Sequence, residues 1–338
     1  MNLTQGLRQF LEYLEVERGR APATLRNYEF YLNRFVDWAG KNAVGSPATV
    51  TAEKIRQYRL WLNRYTDRAG NALSKSTQNY HLVALRSWLK YFAKTDVKTL
   101  SPEKVELAKQ PEREVVYLEF EEVERLLAAP FVDPEAEHLN TEAKLPAGSL
   151  ASAQSSRSFA SARLRDKAIL ELLFSTGMRV SEAANLKIED VNLKRDEFTV
   201  RGKGGKLRVV FLSDEAKSWL KKYQQARHDT SEFLFIRHDR AAKTKTAALE
   251  QPLTPRSIQR LVDHYARAAG ITKPVSPHAI RHSYATDLLR GGADIRSVQR
   301  MLGHASVATT QIYTHISDEH LKTVYKASHA KQRRGSST

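Results

Sequence analysis

The sequence predicts a mainly α-helical protein of two domains, the second of α+β type with one small β-hairpin. Apolar residues recur at spacings of three and four through most of the chain, the signature of helices with one buried face. Two short alternating runs flank the Gly-rich tetrapeptide Gly202-Lys203-Gly204-Gly205, which reads as a hairpin. A polar stretch punctuated by Pro102 and Pro111 separates the two parts.

Residues 1–95 read as four helices. Their stripes are Leu7, Phe10, Leu11 and Leu14; Tyr28, Leu32, Phe35 and Ala39; Ile55, Tyr58, Leu62 and Tyr65; and Leu82, Leu85, Leu89 and Phe92. Pro22 suits the first turn of the second helix, and Ser74 or Ser76 can cap the fourth. Gly19, Gly40, Gly45, Pro47 and Gly70 fall in the breaks. The aromatic residues of this domain are expected in its core rather than as base-stacking groups. Residues 96–115 are expected to be a linker and 116–338 the second domain. Its first helix covers about 119–129 and is followed by a long Ala-, Ser- and Pro-rich stretch at 130–162, read as a flexible insertion. Order is expected to return at 164–176, with Ile169, Leu172 and Leu173 on one face. In the hairpin, Phe198 and Val200 alternate with polar residues, as do Leu207, Val209 and Phe211. Helices follow at about 214–227, 255–269, 277–290, 295–302 and 318–327, with a polar, basic loop at 237–252.

Hydrophobic residues make up 41% of the chain, enough for a substantial core, and no apolar run reaches membrane-spanning length. The first residues lack the pattern of a secretory signal. The absence of cysteine excludes disulfides, thiolate metal sites and a thiol nucleophile, and agrees with a reducing cytoplasm. Lys plus Arg number 54 against 38 Asp plus Glu, a net charge of +16, which points to a polyanionic partner. Residues 1–95 hold 15 basic and 7 acidic side chains and the rest of the chain 39 and 31, so each part carries +8. That distribution suits two domains that both touch nucleic acid, with affinity falling steeply as salt rises.

The residues that carry chemistry concentrate in three places. Ser276 to His315 contains Pro277-His278-Ala279-Ile280-Arg281-His282, then Leu302-Gly303-His304, then Tyr313-Thr314-His315. His278 and Arg281 lie three apart and share a helix face. Upstream, Thr176-Gly177-Met178-Arg179-Val180-Ser181-Glu182 sets an arginine just past a helix break, and Lys203 sits at the hairpin tip. Such a set suits phosphodiester transfer without a metal. Two guanidiniums can hold the non-bridging oxygens of a phosphate and stabilise the charge that builds there. A phenol can attack phosphorus once a base removes its proton, and a lysine can protonate the departing sugar oxygen. One ester replaces another, so no ATP is needed, and no phosphate-cradling GxxxxGK[ST] motif is present.

On these motifs the chain resembles the tyrosine recombinase (integrase) family, and within it the bacterial and archaeal Xer recombinases, over nearly its whole length. The resemblance implies a helical core-binding domain and a tyrosine recombinase catalytic domain, closing as a C-shaped clamp on DNA. The family's first catalytic arginine falls on Arg179, and the acidic residue that supports it on Glu182. The hairpin lysine falls on Lys203, the His-x-x-Arg pair on His278 and Arg281, the second histidine on His304 and the nucleophile on Tyr313. It further implies that Arg179 and Arg281 hold the scissile phosphate, Lys203 serves as general acid toward the 5′ hydroxyl, His278 as base for Tyr313, and His304 as a hydrogen-bonding partner of the phosphate. His282 and His315 are taken as structural neighbours. No cofactor or metal is implied.

The partners implied are double-stranded DNA bearing a specific recombination site, and three further protomers, in a homotetramer or a heterotetramer with a paralogue. Two protomers cut one strand pair, a Holliday junction forms, and the other two resolve it. A DNA translocase or accessory protein is a further expected partner, no membrane is, and a cytoplasmic, nucleoid-associated location is expected. Leu321, Val324 and Tyr325 on the last helix form a small face suited to docking on the next protomer. The chain starts directly with the core-binding helices, which favours resolution of chromosome or plasmid dimers over integration of a phage or mobile element. A non-cleaving accessory protein is a third reading, opposed by the intact catalytic set, and a topoisomerase I-type relaxing enzyme a fourth. The stretch at 130–162 exceeds what Xer relatives carry there.

Overall fold

Each helix of the N-terminal part begins at a local start signal, a side-chain cap or a first-turn proline. The Asn2 side chain accepts from the Gln5 backbone N–H at 2.8 Å, and the Gln5 side chain accepts from the Asn2 N–H at 3.2 Å, opening α1 (Leu3–Val16). Pro22 opens α2 (Pro22–Gly40). Thr51 caps α3 (Ala52–Arg64), and Ser74 caps α4 (Lys75–Lys94) by accepting from the Thr77 N–H. The computed structural model describes residues 1–67, 69–109, 116–132, 150–202, 205–238 and 251–303. The chain divides into two units, Met1–Arg113 and Glu114–Thr338.

In the first unit the expected stripes face inward: Leu7, Phe10 and Leu14, Leu32, Phe35 and Ala39, Ile55, Tyr58 and Leu62, and Leu82, Leu85, Leu89 and Phe92 are all buried. Leu11, Tyr28 and Tyr65 sit at the margin, partly exposed. The aromatic residues largely form core, with Phe35 edge-on to Tyr58 at 5.0 Å. Phe30 and Tyr80 are the exceptions, both exposed. Gly6 permits the closest approach: a Cβ there would lie 2.7 Å from Phe92 Cζ, and the Gly6 carbonyl accepts from the Trp88 indole at 3.1 Å. The expected linker packs onto this unit as far as Ala108. Val105 is fully buried, and the Asn79 side chain exchanges two hydrogen bonds with the Ala108 backbone, at 2.8 and 2.9 Å. Val97 and Leu100 pack partly buried against the same core, and the Thr99 hydroxyl donates to the Pro47 carbonyl at 3.2 Å, so a few dispersed contacts tether it.

The second unit is built around α6 (Leu150–Thr176), with Ala168, Ile169, Leu170, Leu172 and Leu173 almost wholly buried. Against it pack α5 (Phe120–Val132), α8 (Asp214–Ala226) and α10 (Pro277–Arg290). This corrects the reading of 130–162 as a flexible insertion. Pro130 lies inside α5, and residues 150–162 form the first half of α6. Alanine is the strongest helix former, and an Ala-rich segment propagates from an anchored helix without an apolar stripe of its own. Residues 133–149 lie outside the described residues. Further helices among the described residues are α7 (Val180–Ala184), α9 (Pro255–Ala268) and α11 (Ile295–Leu302).

The hairpin forms as expected, from β1 (Glu197–Arg201) and β2 (Leu207–Phe211), antiparallel with Phe198 opposite Val210 and Val200 opposite Arg208. The inward face of β2 differs from the one its alternation suggests. Phe198, Val200 and Val210 are buried, whereas Leu207, Val209 and Phe211 are exposed, so the inward positions of β2 are Arg208 and Val210. Register allows only one face inward. Arg208 takes it because it finds a carboxylate there, described below. Among the described residues, no helix is long and apolar enough to cross a membrane. The expected helix at 318–327 lies outside the described residues.

Candidate active site

The site begins where α6 ends. Gly177 adopts φ +56°, and a Cβ there would lie 2.3 Å from Cδ1 of Tyr284, so glycine is needed for both backbone and space. The turn delivers Met178 into the core and Arg179 to the first position before α7. The Glu182 carboxylate, one turn on, accepts from the Arg179 backbone N–H at 2.8 Å and from Arg179 Nη1 at 3.1 Å. Arg179 Nη2 donates to the carbonyl of Gly303 at 3.3 Å.

Arg281 comes from the first turns of α10, which Ser276 caps. It is 2% exposed, and it donates from Nη1 to the Gly177 carbonyl and from Nη2 to the Leu302 carbonyl, each at 2.5 Å. The two guanidiniums, 102 positions apart in sequence, are thus tied to adjacent carbonyls at the end of α11. Gly303 ends that helix in the left-handed conformation, φ +63°. His304 is the next residue.

His278 lies on the same helix as Arg281 and is exposed. Partial desolvation, then the charges of Arg281 and Arg179, hold its imidazole below the usual histidine range. That shift favours the neutral imidazole, the form able to accept a proton. His282 packs edge-on against it at 4.8 Å, and burial with the neighbouring His278 and Arg281 pushes its pKa down to about 4. Burial alone would raise the Glu182 carboxyl. Hydrogen bonds from Arg208 and from the Arg179 N–H, with the charges of both arginines, outweigh that and hold it below the usual carboxylate range.

Of the seven residues expected from the motifs, the structure brings Arg179, Glu182, His278 and Arg281 together. Lys203, His304 and Tyr313 lie outside the described residues, as do the tail residues Leu321, Val324 and Tyr325. One member of the cluster is new. Arg208 on β2, 8% exposed at its side chain, forks onto Glu182 at 2.8 and 2.6 Å and donates from Nε to the Met301 carbonyl at 3.1 Å. The signal for it was a lone charge within an otherwise apolar strand. Arg179, Gly202, Arg208, Arg300 and Gly303 line an open cavity of about 700 Å³. The charged residues of its lining, Arg179, Lys206, Arg208 and Arg300, are all basic. Among the described residues no group of three or more His, Asp or Glu side chains could hold a metal ion.

Residues 149–320, which carry this whole cluster, match the model of the phage integrase family. The chain belongs to that family. Residues 7–105 match the N-terminal SAM-like domain of phage integrases. The integrase-family relatives include tyrosine recombinase XerC of Pelobacter propionicus, 34% identical over 98% of this chain and 97% of that one. Tyrosine recombinase XerA of Thermococcus kodakarensis is 33% identical over 94% of this chain and 92% of that one. The integrase fold is shared with solved structures. The XerH site-specific recombinase bound to palindromic difH substrate, a post-cleavage complex, superposes with a TM-score of 0.65 at 22% identity, covering 95% of this chain and 84% of that one. A lambda integrase dimer bound to a COC′ core site gives 0.61 at 18% identity, covering 94% and 95%. This integrase-family chain is thus a tyrosine recombinase, an enzyme of DNA strand transfer.

Proposed function

We propose that this recombinase cuts and rejoins double-stranded DNA at a specific site through a 3′-phosphotyrosine on Tyr313, and that its task is resolving chromosome or plasmid dimers. The observation that carries the chemistry is the convergence of Arg179 and Arg281 on the consecutive carbonyls of Leu302 and Gly303, directly before His304. Paired guanidiniums held in fixed orientation are pre-organised for one phosphate, which avoids reorganisation as charge develops.

In the proposed reaction the Tyr313 phenol oxygen attacks phosphorus and its proton passes to His278, neutral at pH 7. The bond to the 5′ oxygen breaks, and Lys203 protonates that oxygen. Arg179 and Arg281 hold the non-bridging oxygens, with His304 a further hydrogen-bond donor. Glu182 orients Arg179. The freed 5′ hydroxyl of a partner strand then attacks the phosphotyrosine, retracing the path and releasing Tyr313. Four protomers, this chain alone or with a paralogue, carry out two such exchanges through a Holliday junction. Residues 1–95 act as the core-binding domain, 96–115 as linker and 116–338 as the catalytic domain, within the cytoplasm.

The dimer-resolution role is supported by the Xer relatives, which match along almost the full length of both chains. Footprinting on host chromosomal DNA, followed by trapping the covalent adduct at the protected site, tests it. One chromosomal site, at which two directly repeated copies are recombined to excise the DNA between them, is expected. Adducts confined to the ends of a mobile element would replace this role with integration.

A further inference from the structure

We propose that Arg208 is a positioning residue for the strand-transfer site, acting through Glu182 on Arg179 and through the Met301 carbonyl on the end of α11. This rests on the assignment of Arg179 as a phosphate-holding residue.

The geometry is specific. Glu182 has two carboxylate oxygens, and both are engaged. Oε1 accepts from Arg179 Nη1 at 3.1 Å and from Arg208 Nη1 at 2.8 Å, while Oε2 accepts from the Arg179 backbone N–H at 2.8 Å and from Arg208 Nη2 at 2.6 Å. Among the described residues, removing Arg208 would leave the carboxylate only Arg179 as a partner, free to rotate about its last side-chain bond. With the two-pronged fork from β2 its plane is fixed, and so is the direction in which it presents the Arg179 guanidinium. Arg208 is nearly buried, so the pair is not a loose surface bridge.

The same side chain reaches the other half of the site. Its Nε donates to the Met301 carbonyl, and its Cδ fills the space where a Cβ on Gly303 would lie, 2.8 Å away. That explains why glycine is required at 303 beyond its positive φ. Gly303 accepts from Arg179 and Leu302 from Arg281. One arginine thus ties three segments: the helix start carrying Arg179, strand β2, and the helix end that precedes His304 in sequence. An aliphatic residue at 208 would complete the inward apolar face of β2 beside Val210. An arginine there forgoes that packing, as expected of a residue kept for orientation rather than for stability.

The test uses the full-length protein, a nicked suicide substrate bearing the footprinted site, and a second substrate with a neutral methylphosphonate at the scissile position. Wild type, Arg208→Ala, Arg208→Lys and Glu182→Gln are compared for site affinity and single-turnover cleavage. Arg208→Ala is expected to bind the site within about threefold of wild type yet cleave the phosphodiester about 100-fold more slowly, the cost of a small misplacement at a reacting centre. Arg208→Lys, which keeps charge but loses the fork, is expected to fall between the two. On the methylphosphonate, which needs no charge neutralisation by Arg179, the gap between Arg208→Ala and wild type is expected to close to less than about tenfold. The double variant Glu182→Gln/Arg208→Ala is expected to be no slower than the slower single variant, because the two residues act as one unit. Wild-type cleavage by Arg208→Ala, an equal loss on both substrates, or additive losses in the double variant overturns the proposal. Failure of the wild type to form any covalent adduct overturns instead the assignment on which it rests.

Discussion

Replacing Gly177 with alanine removes no functional group, yet it is expected to damage the second unit severely. At φ +56° an L-residue carries backbone strain of about 1–2 kcal/mol. The added methyl would lie 2.3, 2.7 and 3.1 Å from three ring atoms of Tyr284, well inside van der Waals contact. That ring is 8% exposed and its hydroxyl is directed at the Met301 sulfur, so it has little room to withdraw. Overpacking of this kind costs about 1–3 kcal/mol, so the sum is roughly 2–5 kcal/mol. For a unit of this size that lowers the melting temperature by about 4–20 °C. Gly270 provides the control. It also has positive φ, +68°, but nothing lies within 4 Å of its Cβ position, so Gly270→Ala carries only the backbone strain. Differential scanning calorimetry on the two variants separates the contributions. A Gly177→Ala melting temperature equal to that of Gly270→Ala would refute the close approach of Tyr284. Because the Gly177 carbonyl accepts from Arg281, the variant that remains folded is also expected to cleave DNA more slowly.

With His278 as base, the acid limb of kcat/KM is expected below pH 6.5. Its folded pKa is lowered, so the active neutral form persists above 6.5 and is lost only as pH falls through that lowered value. An acid limb above pH 7 in rate profiles measured at subsaturating DNA would contradict this. Stability carries a related signature. His282 and His238 are both pushed to about 4 by burial, against 6.5 for the free side chain. The unfolded chain then binds more protons between these values, so their contribution is full above 6.5 and is lost as pH falls toward 4. The stability difference between wild type and His282→Gln, from thermal melts at a series of pH values, is expected to shift in favour of the variant over that window. A difference independent of pH would show that His282 titrates normally in the fold. Site affinity is expected to drop steeply between about 50 and 200 mM salt, and removing one DNA-contacting lysine or arginine should lower the log–log slope by about 1. A flat salt profile in gel-shift titrations would remove phosphate contacts from the account.

The helical framework was legible because burial there is periodic and local. Leu82, Leu85, Leu89 and Phe92 sit on one face whatever they pack against, and Ser74 announces the start of that helix by its own hydrogen bond. Burial at residues 150–162 is not encoded that way. The Ala- and Ser-rich stretch has no stripe, and its helix follows from propensity and continuity with 164–176. The tethering of the 96–108 segment depends on Val97, Leu100, Val105, Thr99 and Asn79, dispersed long-range contacts that leave no periodic trace. In the site, Arg179, Glu182, His278 and Arg281 were legible as motif positions, and the structure adds how they are held. Arg208 escaped because Leu207, Val209 and Phe211 present the more apolar alternation in β2. The reversal comes from a partner 26 positions away, Glu182, whose carboxylate lets an arginine occupy an inward strand position. Pattern reading sees which side chains avoid water. It does not see which charges find one another.

Mass spectrometry of the DNA-linked peptide tests the central claim most directly. Full-length protein is incubated with a nicked suicide substrate of its site, digested, and the peptide carrying the residual nucleotide is sequenced. The phosphodiester is expected on the Tyr313 oxygen with the DNA attached through its 3′ end, and Tyr313→Phe is expected to yield no adduct while still binding the site. A nucleotide found on any other residue, or an undiminished adduct from Tyr313→Phe, would contradict the account.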